Sequence, residues 1–305
     1  MSESFPGYTL KARLAHGAMA EVWTAVAQSS GKLVAIKRIR PHLASDPDIV
    51  SMFAGEAEIA SQLHHPNIVE VVEFGEAGGS VFMVMDLVDG PDLGTILTSV
   101  RRAGTTLSLG IAILIARRIA AALHYAQRSL PGFVHRDVSP GNILISRKGE
   151  IKLCDFGIAR AAGVASQELG GELRGKLHYM SPEQASGGAV DARSDVFSLG
   201  AVFFEMVTGR KPYERGEELL IDVVRSGRVD LPSSVNAALA PSVDAIVGAA
   251  LAARPDDRCA SAGELEEALG RMADENDLNR SPEELAGWIA AMLANPPDHA
   301  AAIAE

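Results

Sequence analysis

The stretch HRDVSPGN, residues 135–142, sets the carboxylate of Asp137 five residues ahead of the carboxamide of Asn142, and a second carboxylate, Asp155, follows in DFG at 155–157. Carboxylate and carboxamide oxygens are hard donors of the kind Mg²⁺ takes, a few at a time, beside substrate phosphate oxygens. An aspartate held against a hydroxyl can also accept its proton, which is worth about 10²–10⁴ in rate. Upstream, VAIK (34–37) ends on Lys37, and Glu56 lies in a helical pattern. LAHGAMAEV (14–22) turns on Gly17, where a glycine lets backbone N–H groups come close to phosphate. Taken singly, each is unremarkable: a hairpin turn, a solvated strand lysine, a surface glutamate and loop carboxylates.

The elements that must carry these groups come in two textures. Up to about residue 88, YTLKARLA, AEVWTAVAQ, KLVAIKRI, IVEVVEFGEA and VFMVMDLV are short β-rich runs broken by Gly or polar residues, which predicts a meander. Between the third and fourth, Ile49, Met52, Phe53, Ala57, Ile59 and Leu63 have helical spacing, and Pro66 supplies a stop. A hinge is expected near Leu87 to Asp92. Beyond it the chain is mainly helical, with long apolar helices predicted over 108–128 and 194–209, the second capped by Ser194 or Asp195 and ended by Gly209. Shorter helical patterns occupy 216–226, 242–252 and 261–273, with a β-like interruption at 143–154. The last stretch, 274–305, reads as an acidic, Ala-rich tail with a helix at 281–294. Its apolar face (Leu285, Trp288, Ile289, Met292, Leu293) is expected to pack on the body, with a regulatory protein partner as the alternative occupant.

Bulk properties narrow the classes. With 28 Lys and Arg against 39 Asp and Glu, the net charge is −11, which argues against nucleic acid or an anionic membrane surface as the main partner. The most apolar segment, LSLGIAILIARRIAAALHYA, is interrupted by Arg117 and Arg118, so no membrane span is expected. Two distant cysteines, Cys154 and Cys259, fit neither a disulfide framework nor a zinc site. A soluble, cytoplasmic protein is the expectation.

In order, the fragments stop being independent: a small-residue turn, a strand lysine, a helix glutamate, HRDxxxxN, DFG and SPE (181–183). Together with HHPNIV, FMVMDLVDG, LHYMSPEQ and SDVFSLGAVFFEMVTGRKPY, they make the chain resemble the eukaryotic-like (Hanks-type) Ser/Thr protein kinases of bacteria over about residues 8 to 270. The resemblance implies an α+β, bilobal fold: a domain over 8–273, with a small antiparallel β N-lobe (about 8–88) and a helical C-lobe (about 89–273), followed by the 274–305 tail. It implies ATP with Mg²⁺, for which Mn²⁺ can stand in, and a protein substrate. By the same resemblance Lys37 meets the phosphates and pairs with Glu56, Asn142 and Asp155 hold the metal, and Asp137 is the base. Leu14, Gly17, Val22, Ala35, Leu144 and Cys154 match the nucleotide pocket, Met85 its back wall, and Asp86 and Val88 the hinge. Glu183 is expected to pair with Arg258, and Asp195 to brace the catalytic loop.

Four positions depart from the family pattern. Ala15 and Ala20 replace glycines of the phosphate loop, and Ser139 and Lys176 stand where the family has Lys and Thr. Position 139 has lost an ammonium and position 176 has gained one, so Lys176 is expected to fold back on Asp137 and supply the missing charge. Ser166 is the only Ser between Gly157 and Tyr179, with no Thr, so Glu168 or Glu172 is expected to stand in for a phosphorylated residue opposite Arg136. A pseudokinase, acting as an ATP-binding or scaffolding module, is the alternative that Ala15, Ala20 and Ser139 would favour.

Overall fold

Leu10, Ala25, Val34 and Ile36 belong to one buried cluster, which gives the first ninety residues a sheet with one strongly apolar face. A computed structural model describes residues 4–77, 80–156, 175–213 and 220–294. Its contacts divide the chain into two units, Met1–Val88 with Cys154–Glu172, and Asp89–Leu153 with Leu173–Glu305.

In the first unit, β1 (Ser4–Phe5), β2 (Tyr8–His16), β3 (Ala20–Ala27), β4 (Leu33–Ile39), β5 (Val71–Ala77) and β6 (Ser80–Asp86) form an antiparallel sheet. Its order is β1-β2-β3-β4-β6-β5, so the expected meander is broken: β6 enters between β4 and β5. One face buries Phe5, Leu10, Ala25, Val34, Ile36, Phe82 and Val84. Directly paired residues project to the same face, so the Val22–Lys37, Ala35–Met85 and Lys37–Met83 pairs put these side chains together on the other. Helix α1 (Pro47–Ser61) packs on β5 and β6. Asp46 caps it, accepting from the amides of Asp48 and Ile49 at 3.0 and 3.3 Å, and Pro47 opens its first turn.

In the second unit the core gathers on α3 (Leu109–Ser129), which packs against α5 (Ala192–Thr208), α9 (Ala262–Glu275) and the strand β8 (Ile151–Leu153), itself paired with β7 (Ile143–Ile145). The remaining helices are α2 (Leu93–Arg102), α4 (Pro182–Ala185), α6 (Leu220–Ser226), α7 (Pro232–Val235), α8 (Pro241–Ala250) and α10 (Pro282–Ala294). By length and composition α3 could cross a membrane, yet twelve of its residues are buried in this core. Helix α5 starts earlier than expected: Asp191 caps it, and Ser194 and Asp195 are buried in its first turn with other partners. Gly209 ends it at φ 72°, as its position after the apolar run implies.

The 281–294 helix is part of the same body. Ser281 and Glu284 exchange side-chain-to-amide hydrogen bonds at 2.7 and 3.3 Å, a capping box that starts α10. Leu285 and Ile289 are fully buried, and Trp288 and Met292 pack on the same core. The centre of that face is therefore covered by the chain itself, while Leu293 at its end is exposed. The approach to α10 is tight: a Cβ on Gly110 would lie 2.7 Å from the Leu278 carbonyl oxygen, and one on Gly149 would lie 1.8 Å from that of Pro282. Gly149 and Gly132 share a left-handed backbone (φ 81° and 80°), but Gly132 has open space around it. Gly132→Ala should cost about 1–2 kcal/mol from backbone strain. Gly149→Ala should cost visibly more in thermal melts, because the C-terminal segment must also move.

Candidate active site

A lysine placed in a sheet face among Val22, Ala35 and Met83 needs anionic partners to stay charged. Lys37 has two: its Nζ donates to Glu56 Oε1 of α1 at 2.6 Å and to Asp155 Oδ1 at 2.8 Å. Burial pushes the Lys37 ammonium toward a lower pKa, but Asp155 and Glu56 outweigh it and hold the pKa well above the ordinary lysine value. Phe53, one helical turn before Glu56, lies under the ammonium at 5.9 Å. Asp155 takes a left-handed φ of 57°, which aspartate tolerates better than most residues, and its side chain is 42% exposed. That exposure leaves carboxylate surface for a hard cation.

The other predicted residues of this unit fall as follows. Gly17 turns between β2 and β3, its amide donating to the Ala20 carbonyl at 2.9 Å, and it does so without a positive φ. Ala15 pairs with Val22 in the same hairpin. Leu14 is 54% exposed, whereas Ala35 and Met85 are buried. The Asp86 amide donates to the Glu70 carbonyl at 3.0 Å and its carboxylate takes Lys32 at 2.8 Å, while Val88 follows the end of β6 half-buried. Cys154, half-buried, precedes Asp155.

The second unit builds a separate constellation on the loop before β7. Asp137 is 7% exposed, and its Oδ2 accepts from Asn142 Nδ2 at 2.9 Å and from Lys176 Nζ at 2.5 Å. The Asn142 amide nitrogen also donates to the Asp137 carbonyl at 2.8 Å, which turns its Oδ1 away from Asp137. Lys176 thus lies on the carboxylate, and its side chain remains 36% exposed. Ser139 is buried, and its carbonyl accepts from the Asn142 amide at 3.0 Å. Leu144 lies in β7, half-buried. Ser166, Glu168 and Glu172, with Gly157, lie outside the described residues.

The backbone beneath Asp137 is held from four directions. Asp195, fully buried at the start of α5, accepts from the amides of His135 and Arg136 at 2.8 and 2.9 Å. Gln184 Nε2 donates to the Arg136 carbonyl at 3.0 Å, and His135 Nδ1 accepts from the Asp137 amide at 3.3 Å. Arg136 has φ 65°, a strained value for a long side chain, and these bonds fix it on both sides. Burial pushes the Asp195 carboxyl up to about 7, against the pull of the two amides. Below, Arg258 donates bidentately to Glu183 at 2.6 and 2.7 Å, and its guanidinium lies 4.8 Å over the Phe197 ring. Burial raises the Glu183 carboxyl pKa, but Arg258 and the Ser194 hydroxyl hold it below the usual carboxylate range.

Gln184 had no assigned role in the sequence, and Ser194 only that of a candidate helix cap. Gln184 sits at the N3 position of the capping box that Ser181 opens, so SPEQ did announce its side chain as a backbone ligand. Nothing in the sequence around Ser194 distinguishes it from an N-cap.

A profile of the protein kinase domain matches residues 8–269. The chain belongs to the protein kinase family. Similar proteins include the tyrosine-protein kinase MasK of Myxococcus xanthus, 35% identical over 88% of this chain and 43% of its own length. The serine/threonine-protein kinase PknA of Mycobacterium tuberculosis is 36% identical over 86% of this chain and 60% of its own length. The chain thus spans about half the length of the curated relatives it matches. The crystal structure of the Mycobacterium tuberculosis PknI kinase domain is similar with a TM-score of 0.68 and 31% identity, over 89% of this chain and 98% of that one. Protein kinases use ATP and a divalent metal ion and act on proteins. The first unit carries the Lys37–Glu56 pair and the Asp of DFG, and the second carries the HRDxxxxN loop.

Proposed function

We propose that the protein is a Mg-ATP-dependent protein Ser/Thr kinase in which Asp137 takes the proton of the substrate hydroxyl and Lys176 replaces the catalytic-loop lysine absent at Ser139. The observation that carries this reading is the 2.5 Å contact between Lys176 Nζ and Asp137 Oδ2. Lys37, steadied by Glu56, would bind nucleotide phosphates, and the oxygens of Asp155 and Asn142 would hold the metal. Bound magnesium would neutralise charge on the phosphates. Val22, Ala35 and Met85 would meet the adenine, with Leu14, Leu144 and Cys154 adding apolar surface. Because the Asp86 amide already bonds Glu70, Asp86 would offer its carbonyl to the purine, and Val88 its amide. The hydroxyl of the acceptor attacks the γ-phosphorus, the bond to the bridging oxygen of ADP breaks, and the hydroxyl proton passes to Asp137. An ammonium beside that carboxylate orients it and faces the charge spread over the transferring group. Retention of Lys37, Glu56, Asp137, Asn142 and Asp155 favours this over a scaffolding role, for which the five together have no chemical need.

The test compares initial rates of labelled-phosphate transfer to a generic protein, with phosphoamino-acid analysis of the product. Lys176→Ala and Lys176→Thr should each slow transfer at least tenfold with little change in KM for ATP. Adding Ser139→Lys to Lys176→Thr should restore most of the rate, since it returns the charge to its usual place. Rates near the parent's in both single variants would remove Lys176 from the mechanism, and phosphotyrosine as the main product would overturn the Ser/Thr assignment.

A further inference from the structure

Away from these residues, the first unit gathers positive charge in one place. Lys11 and Arg13 on β2, Arg38 on β4 and Arg40 just beyond it line a cavity of about 630 Å³, joined by His16 and His42. Among the described residues the cavity has a single carboxylate, Glu21, and Arg38 Nε already donates to it at 2.5 Å. Lys11, Arg13 and Arg40 have no ion-pair partner among the described residues. Four cations against one carboxylate leave a local charge of +3 in a chain whose net charge is −11.

The wall of the cavity is ordered. The Arg38 side chain is 11% exposed and lies 5.4 Å over the ring of Phe5 and 5.5 Å over that of Trp23. Arg13 lies 6.0 Å over the same indole. These aromatic contacts hold two guanidiniums near one another despite their repulsion. Trp23 also carries a buried indole N–H with no hydrogen-bond acceptor among the described residues, a donor left incomplete at the same wall.

We propose that this cavity binds a phosphorylated serine or threonine on a protein segment. Clustered guanidiniums favour phosphate because its oxygens accept paired N–H bonds, and the dianion matches the charge excess. The volume exceeds what a bare phosphate fills, and Trp23 and Pro41 offer apolar surface to the residues on either side of it. An anionic membrane is the less suited source, since the charge is concave and confined while the whole chain is acidic. In the sheet, Arg38 follows Lys37, so the proposed site and the nucleotide lysine occupy opposite faces of one strand.

The two tryptophans, Trp23 and Trp288, make the test site-specific. The full chain carrying Asp137→Asn, ¹⁵N-labelled at its indoles and free of ATP, is titrated with blocked Ala-Ala-phosphoserine-Ala-Ala, the unphosphorylated peptide and inorganic phosphate. The phosphopeptide should shift the Trp23 indole resonance saturably, leave Trp288 in place, and bind at least tenfold tighter than inorganic phosphate. Arg13→Gln and Arg40→Gln should each weaken it at least tenfold with unchanged melting temperature. No saturable shift at Trp23, equal affinity for inorganic phosphate, or unchanged affinity in both variants would overturn the proposal. Tighter retention on phosphatidylserine vesicles, lost with the same two substitutions, would assign the cavity to a membrane instead. None of these readouts depends on phosphoryl transfer, so they stand or fall apart from the kinase reading.

Discussion

Asp137→Asn is expected to lower phosphoryl transfer by about 10²–10⁴-fold while leaving nucleotide binding nearly unchanged. The substitution keeps the size of the side chain, and its one remaining oxygen can still accept from Lys176 or Asn142, which in the parent meet at Oδ2. What it removes is a group that can take a proton. The lysine, its two carboxylate partners and the loop at Gly17 are untouched, so KM for ATP and the thermal melt should stay near the parent's. Single-turnover rates with excess enzyme would separate the chemical step from product release. A loss of less than tenfold in that step would take Asp137 out of its role as base.

Arg258→Ala is expected to lower unfolding free energy by about 3–5 kcal/mol, the usual consequence of removing one partner of a buried ion pair. The guanidinium is fully buried. Besides Glu183 it supplies the carbonyls of Ala252, Arg193 and Ala253 at 2.7, 3.2 and 3.0 Å, all of which would lose a donor. In the parent, Glu183 is held below its ordinary pKa, so its contribution is present above the unfolded value of about 4.3 and is lost as pH falls through the folded one. In the variant the sign reverses. A buried carboxylate without its cation has a raised pKa, the folded state then binds the extra proton, and the deficit shrinks on acidification. Chemical denaturation at pH 8 and pH 5 would show it. An equal deficit at both would mean that the lost packing over Phe197, rather than the stranded charge, dominates. Arg258→Met paired with Glu183→Leu should be far milder than either change singly.

Much of the site could be read from the chain because its chemistry sits in short, ordered motifs. The strand carrying Lys37, the helix carrying Glu56 and the loop carrying Asp137 all form where local pattern puts them, since alternation, Asp46 with Pro47, and Gly209 are local signals. The chain also shows a serine at 139 and an ammonium at 176, and the fold sets Lys176 Nζ 2.5 Å from Asp137 Oδ2. What local pattern does not hold is pairing across distance. Strand β6 inserts between β4 and β5 and pairs with both, and no neighbour in sequence says so. Asp195 looks like a helix cap from its neighbours, and only the family resemblance, not local pattern, points to its partners about sixty residues earlier, at His135 and Arg136. Gln184 reads as the far half of a capping box, and only the fold reveals that its amide also holds Arg136.

The burial of α10 separates two boundaries that are easily treated as one. The match to the family profile ends at 269, whereas the hydrophobic interior continues through Met272, Leu285 and Ile289. The edge of the profile is therefore not the edge of the fold. Anyone grafting this catalytic body onto another sensor or anchor should place the joint after residue 294, where the described helix ends. A graft at the edge of the recognisable domain would leave Gly110 and Gly149 facing an empty seat.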